Sequence, residues 1–179
     1  MGAALPGFDA PAVGFEQPYE MLEACHSRVQ RTLDLLDRLL DYVAQQGHDA
    51  QTRSAAADVL RYFDLAAPLH HEDEEKHVFP LLLAQGTAAL CAAVRQLQAE
   101  HEEMSALWQQ LRQPLLRWRE ADAVDRPDAA LLALTERFQR LYAGHIPQEE
   151  ALVYPAARAA MDGTTQARMG AEMQARRRG

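Results

Sequence analysis

The chain has 179 residues, 48% of them apolar and only 7% aromatic, with a formal charge of −8. That length fits one domain with a sizeable core, and the acidic balance argues against a nucleic-acid binder. Cys25 and Cys91 form neither a disulfide framework nor a C-x2-C metal site, and no signal-peptide pattern or apolar run of transmembrane length is present. A cytoplasmic protein with no membrane role is expected, and the scarcity of aromatic and β-branched residues favours helix over sheet.

Residues 1–17 contain Pro6, Gly7, Pro11 and Gly14 and read as an irregular arm. A first helix is expected to start near Pro18, with the stripe Leu22, His26, Val29, Leu33, Leu36, Leu40, Val43 stepping alternately by four and three. Gly47-His48-Asp49 marks a turn. A second helix should run from about Ala50 to Ala84, with Phe63, Ala67, His70, Glu74, His77 and Leu81 on one stripe. After Gly86, a third should run from Ala88 to Trp118, with Val94, Leu97, His101, Met104, Trp108, Leu111 and Leu115 inward. Glu120 to Pro127 is a linker. A fourth helix spans about Asp128 to Met161, with Phe138, Tyr142, His145, Glu149 and Leu152 inward. The expected fold is all-α: an up-down-up-down antiparallel four-helix bundle over residues 18–162, followed by a basic tail over 163–179. Arg176-Arg177-Arg178 would then be a solvated terminus. Pro80 and Pro155 are expected to end or kink their helices, and Pro68 and Pro147 to adjust the histidines beside them.

Within this frame one pattern occurs twice. His70-His71-Glu72-Asp73-Glu74-Glu75-Lys76-His77-Val78-Phe79-Pro80 and His145-Ile146-Pro147-Gln148-Glu149-Glu150-Ala151-Leu152-Val153-Tyr154-Pro155 lie 75 residues apart. Each places a Glu four residues after a His, on one helix face and one turn away. The same shift carries His26 to His101, Leu22 to Leu97, Leu36 to Leu111 and Phe63 to Phe138. The chain therefore reads as two helical hairpins, each contributing one lone His and one His/Glu pair. In an up-down-up-down bundle all six side chains can converge at similar depth, toward one end.

Four imidazoles and two carboxylates exceed a tetrahedral zinc site. They suit two metals, each with two His, bridged by both carboxylates and retaining open positions of the kind non-haem iron uses for O2 or NO. The Glu-x-x-His order of ferritin-like bundles is absent. With His26, His70, Glu74, His101, His145 and Glu149 in this order, the chain resembles a hemerythrin-like domain of the HHE cation-binding family, from the first helix to the end of the fourth. The resemblance implies two iron ions with an oxo or hydroxo bridge, Glu74 and Glu149 bridging, His26 and His70 on one iron and His101 and His145 on the other; zinc or manganese could substitute. Two departures matter. The oxygen-carrying hemerythrins have a His-x3-His pair on the third helix, where this chain has Ser105 four after His101, and their last carboxylate lies five residues after the last His. The reading moves from oxygen carriage to binding or sensing of O2 or NO. Peroxide or NO turnover by a di-iron oxidoreductase, and iron storage or delivery, are the alternatives. An appended output domain is not expected, so a sensor would act through a protein partner.

The remaining polar residues receive blander readings. His71 also has a Glu four residues on, but its repeat partner is Ile146, so it is expected to be exposed or to support a ligand. His77 stays open between a fifth ligand, a supporting donor and a helix-end histidine. Glu72, Asp73, Glu75 and Glu150 are expected on a solvated face, Glu100 beside His101 as an occasional supporting group, Cys25 off the ligand face, and Tyr142 and Tyr154 in the aromatic core.

Overall fold

The computed structural model describes residues 13–178. Among them lie five helices: α1 (Pro18–Gln46), α2 (residues 50–85), α3 (Ala88–Glu120), α4 (residues 129–160) and α5 (Gly163–Arg176). The all-helical expectation holds. The expected basic tail after residue 162 does not, because α5 forms there. Most of the arm, residues 1–12, lies outside the described residues.

Local chemistry sets the helix ends. Gly47 ends α1 at φ 86°, a positive-φ backbone conformation that a residue with a Cβ rarely adopts, while its N–H donates to Val43 O. Asp49 then caps α2: its carboxylate accepts from the backbone of Gln51 and Thr52, while the Thr52 hydroxyl accepts from Asp49 N–H. Thr87, Asp128 and Asp162 cap α3, α4 and α5 in the same way, each accepting from the residue three on.

The prolines neither end nor interrupt α2 and α4. Three of them sit instead at the second position of an α segment that follows a π-helical turn. Pro68 follows Tyr62–Ala66, Pro80 follows Glu74–Val78, and Pro155 follows Glu149–Val153. A proline has no N–H to give, and its ring clashes with the carbonyl four residues back. Widening the turn relieves that clash: Phe79 N–H donates to Glu74 O, and Tyr154 N–H to Glu149 O, each five residues back. Both wide turns therefore begin on the repeated glutamates.

α1 packs on α2, α2 on α3 and α3 on α4, while α1 also touches α4 and α5. The apolar core is in two parts. One gathers Val29 to Val43 of α1 with Phe63, Trp108, Leu111 and Phe138. The other gathers Tyr19, Leu22, Phe79, Leu97, Tyr154 and, from α5, Met169 and Met173. Along every one of the four long helices the gap between these clusters is filled by the repeated His and Glu positions. The polar set thus sits between two apolar layers rather than at one end of the bundle.

α5 is held from three sides. Met169 and Met173 are buried, which contributes about 1.5–3 kcal/mol for each side chain. Gly170 lies flat on the backbone of Phe15, so close that a Cβ would come within 1.8 Å of that carbonyl oxygen. Arg176 and Arg177 both pair with Asp73, a fully buried carboxylate one residue before Glu74. Asp73 is therefore not on a solvated face, and Arg176 and Arg177 are not part of a loose terminus: a carboxylate inside the protein needs partners, and these two supply them, while Arg178 stays exposed.

Candidate metal centre

All six repeated residues converge. His26, His70, His101, His145, Glu74 and Glu149 are each at most 6% exposed. Their atoms fall into two groups close enough to hold an ion. One is His26, His70, Glu74 and Glu149; the other is His101, His145 and Glu149. Glu149 belongs to both. Its Oε1 lies 2.9 Å from His145 Nε2 and its Oε2 lies 3.0 Å from His26 Nε2. Glu74 spans the same gap, with Oε1 3.6 Å from His70 Nε2 and Oε2 3.4 Å from His101 Nε2.

The outer nitrogens decide which electron pairs face inward. His26 Nδ1 meets Glu150 at 2.8 Å, His101 Nδ1 meets Glu75 at 3.0 Å, and His145 Nδ1 meets Glu100 at 2.8 Å. A carboxylate can only accept, so each Nδ1 carries the proton and each Nε2 turns a lone pair toward the centre. His101 Nε2 and His145 Nε2 stand 3.1 Å apart. Glu74 Oε2 and both oxygens of Glu149 are buried with no hydrogen-bond partner among the described residues. Lone pairs and carboxylate oxygens facing one another in a dry interior repel unless a positive charge lies between them, a proton in the metal-free protein or a metal cation when one is bound. The donor set of imidazole nitrogen and carboxylate oxygen suits iron, zinc or manganese.

The charges follow the same logic. Burial and the neighbouring charge of Glu149 push the Glu74 carboxyl well above the usual carboxylate range, so without a cation it keeps its proton. Burial would raise Glu149 too, but the imidazoles of His145 and His26 outweigh it and hold that carboxyl well below its usual range. Burial pulls His145 down, and Glu149 with Glu100 more than reverses this. Burial and neighbouring imidazoles lower His70 strongly and bring His101 to about 2. The metal-free centre therefore sets an ionised Glu149 against His145, beside a protonated Glu74 and neutral His70 and His101.

Several residues differ from their sequence readings. Glu150 is exposed and Glu75 half-buried, as a solvated face implies, yet each also reaches across to the lone histidine of the other hairpin. They are themselves 75 residues apart, the one signal that could have marked them. Glu100 serves His145. Tyr154 is more than core: its hydroxyl donates to Glu74 Oε1 and lies 3.1 Å from His26 Nε2. Tyr142 does belong to the apolar cluster. His77 is outside the centre and faces Glu172 of α5 at 2.6 Å. His71 belongs to neither ion-holding group and stacks on His101 with ring centroids 3.9 Å apart.

Comparison with known proteins gives this geometry a place. The model of the hemerythrin HHE cation binding domain matches residues 17–174. The chain belongs to this family. The hemerythrin HHE match reaches residue 174, so it takes in all but the last two residues of the fifth helix. An uncharacterized protein of Haemophilus influenzae is 34% identical over 163 residues, covering 91% of each chain. The hemerythrin-like chain is accordingly a cation-binding helical domain, and among its described residues no helix is long and apolar enough to cross a membrane.

Proposed function

We propose that this hemerythrin-like domain holds two iron ions bridged by Glu74 and Glu149, in an up-down-up-down arrangement of its four long helices, and binds or senses O2 or NO there. His26 and His70 would hold one ion, His101 and His145 the other. The observation that carries the reading is the convergence of acceptor-only atoms on one buried layer. Two iron ions would supply open coordination positions and redox chemistry. The chain itself supplies dryness, fixed imidazole orientation and access for a small molecule. Ser105, at the position where the oxygen carriers have a further His, lines a cavity of about 150 Å³ together with His71, Met104, Trp108 and Tyr142. That cavity has room for a diatomic molecule, and through His71 it adjoins His101.

One observation favours a second reading, turnover of peroxide or NO. Tyr154 places a hydroxyl against Glu74 and His26, where it could give a proton to a bound molecule. Burial of all six ligands disfavours the third reading, storage with ready delivery. Metal analysis after growth in iron-rich medium tests the centre: two irons per chain are expected, and a single zinc would overturn it. Adding NO or O2 to the reduced, iron-loaded protein should then change its absorption spectrum. An unchanged spectrum removes the ligand-binding role, and steady consumption of peroxide well above that of free iron moves the reading to the enzyme.

A further inference from the structure

The 75-residue repeat predicts a symmetric shell around the six ligands, and on one side the shell fails. Glu75 and Glu150 correspond, and they serve His101 and His26. Glu100, which serves His145 from the residue before His101, corresponds to Cys25, the residue before His26. By that correspondence Cys25 is where an anion for His70 would stand. Cys25 is a buried free thiol, and His70 Nδ1 is buried with no hydrogen-bond partner among the described residues. A second difference falls on the same half. Phe79 stacks on His101 at 5.5 Å, and its counterpart Tyr154 stacks on His26 at 5.5 Å. The tyrosine adds a hydroxyl that already occupies Glu74 Oε1 and approaches His26 Nε2.

We propose that the two metal positions are unequal: the one held by His101 and His145 is tight, and the one held by His26 and His70 is loose and is the position that exchanges its ion. This rests on the two-metal reading above. An imidazole whose far nitrogen donates to a carboxylate is fixed in orientation and is a better electron-pair donor; loss of such a partner typically weakens metal binding about 10- to 100-fold. Both histidines of the tight half have that partner, but only one of the loose half does. A cation entering the loose half must also take Glu74 Oε1 from the Tyr154 hydroxyl.

Titration of the full metal-free chain with Co(II) in competition with a chelator, followed by the visible absorption of the bound ion, tests this. Two steps are expected, the second about tenfold or more weaker. Because Glu149 is shared, stepwise binding alone could reflect repulsion between the ions, so the variants decide. Cys25→Glu restores the symmetric shell and should tighten the weaker step about tenfold while leaving the stronger unchanged. Glu100→Cys copies the loose shell onto the other half and should bring the stronger step down to the weaker. Cys25→Ala should move neither. Should Cys25→Glu not fold, Glu100→Cys decides by itself: a fall in the weaker step, or no change, overturns the proposal. Loosening by Cys25→Ala would make the thiol a ligand and also overturns it. Two equal steps in the parent chain sink the inequality but leave the two-metal centre standing, whereas no Co(II) bound at all removes both.

Discussion

The apolar layers and the polar layer between them are built on opposite terms. Phe63, Trp108 and Phe138 on one side, and Leu22, Phe79 and Leu97 on the other, are complete by themselves: each is buried against other apolar groups. The layer holding the six repeated His and Glu residues is equally buried but incomplete, because its atoms oppose one another. The apolar layers should therefore support the fold with or without an ion, while the polar layer costs stability until an ion is present. This division allows a helical frame to exist before the metal and to bind it without rearranging its core.

Cutting into the apolar side is expected to have the largest effect. Phe138→Ala should cost about 3–5 kcal/mol, nearly the same in metal-free and metal-loaded protein, measured by urea unfolding; a loss confined to the loaded form would make Phe138 part of the centre. Stripping the metal comes next and should act only through the polar layer. The loaded protein gains about 4 kcal/mol when free metal exceeds its Kd a thousandfold, so chelation should lower the melting temperature. Glu149→Gln, which touches both ion groups, should abolish that difference together with the bound metal. Equal melting of the loaded and stripped parent chain would contradict a well-formed centre.

A smaller effect is expected where α5 joins the polar layer. Arg177→Ala leaves Arg176 to hold the buried Asp73 and should cost about 1–3 kcal/mol. Hydrogen exchange should then quicken in α5 before it does in α1 to α4; uniform quickening would mean that α5 does not open separately. The smallest effect concerns pH. Burial, reinforced by the charge of His145, lowers His71 from its ordinary 6.5 to about 4. A histidine lowered on folding contributes fully above pH 6.5, and the contribution is lost as pH falls toward 4, since the unfolded chain takes up the proton first. Over that window the metal-free His71→Gln protein should lose less melting temperature than the parent, and parallel curves would show His71 to be solvated.

The helices and the six converging His and Glu positions were legible because they rest on local periodicity. An offset of four puts His70 with Glu74, and His145 with Glu149, on one face whatever the neighbours are. The repeat then adds His26 and His101, which no short motif marks. It also separates His70 from His71, a choice that agrees with the two groups of converging atoms. What was missed lies one residue off those faces. Glu75 and Glu150 do keep contact with solvent, but an adjacent hairpin also brings each of them a histidine. Asp73 likewise looks exposed until Arg177, 104 residues on, covers it.

By itself the sequence determined the helical class, the doubled pattern and the residues available to ligate, since all three follow from spacing along one chain. Only the tertiary structure decided which carboxylate orients which imidazole, that His70 goes without one, that Tyr154 enters the centre and that the C-terminal residues form a docked helix. Those features depend on contacts between helices, and a contact between helices is set by how whole faces pack rather than by any interval along the chain.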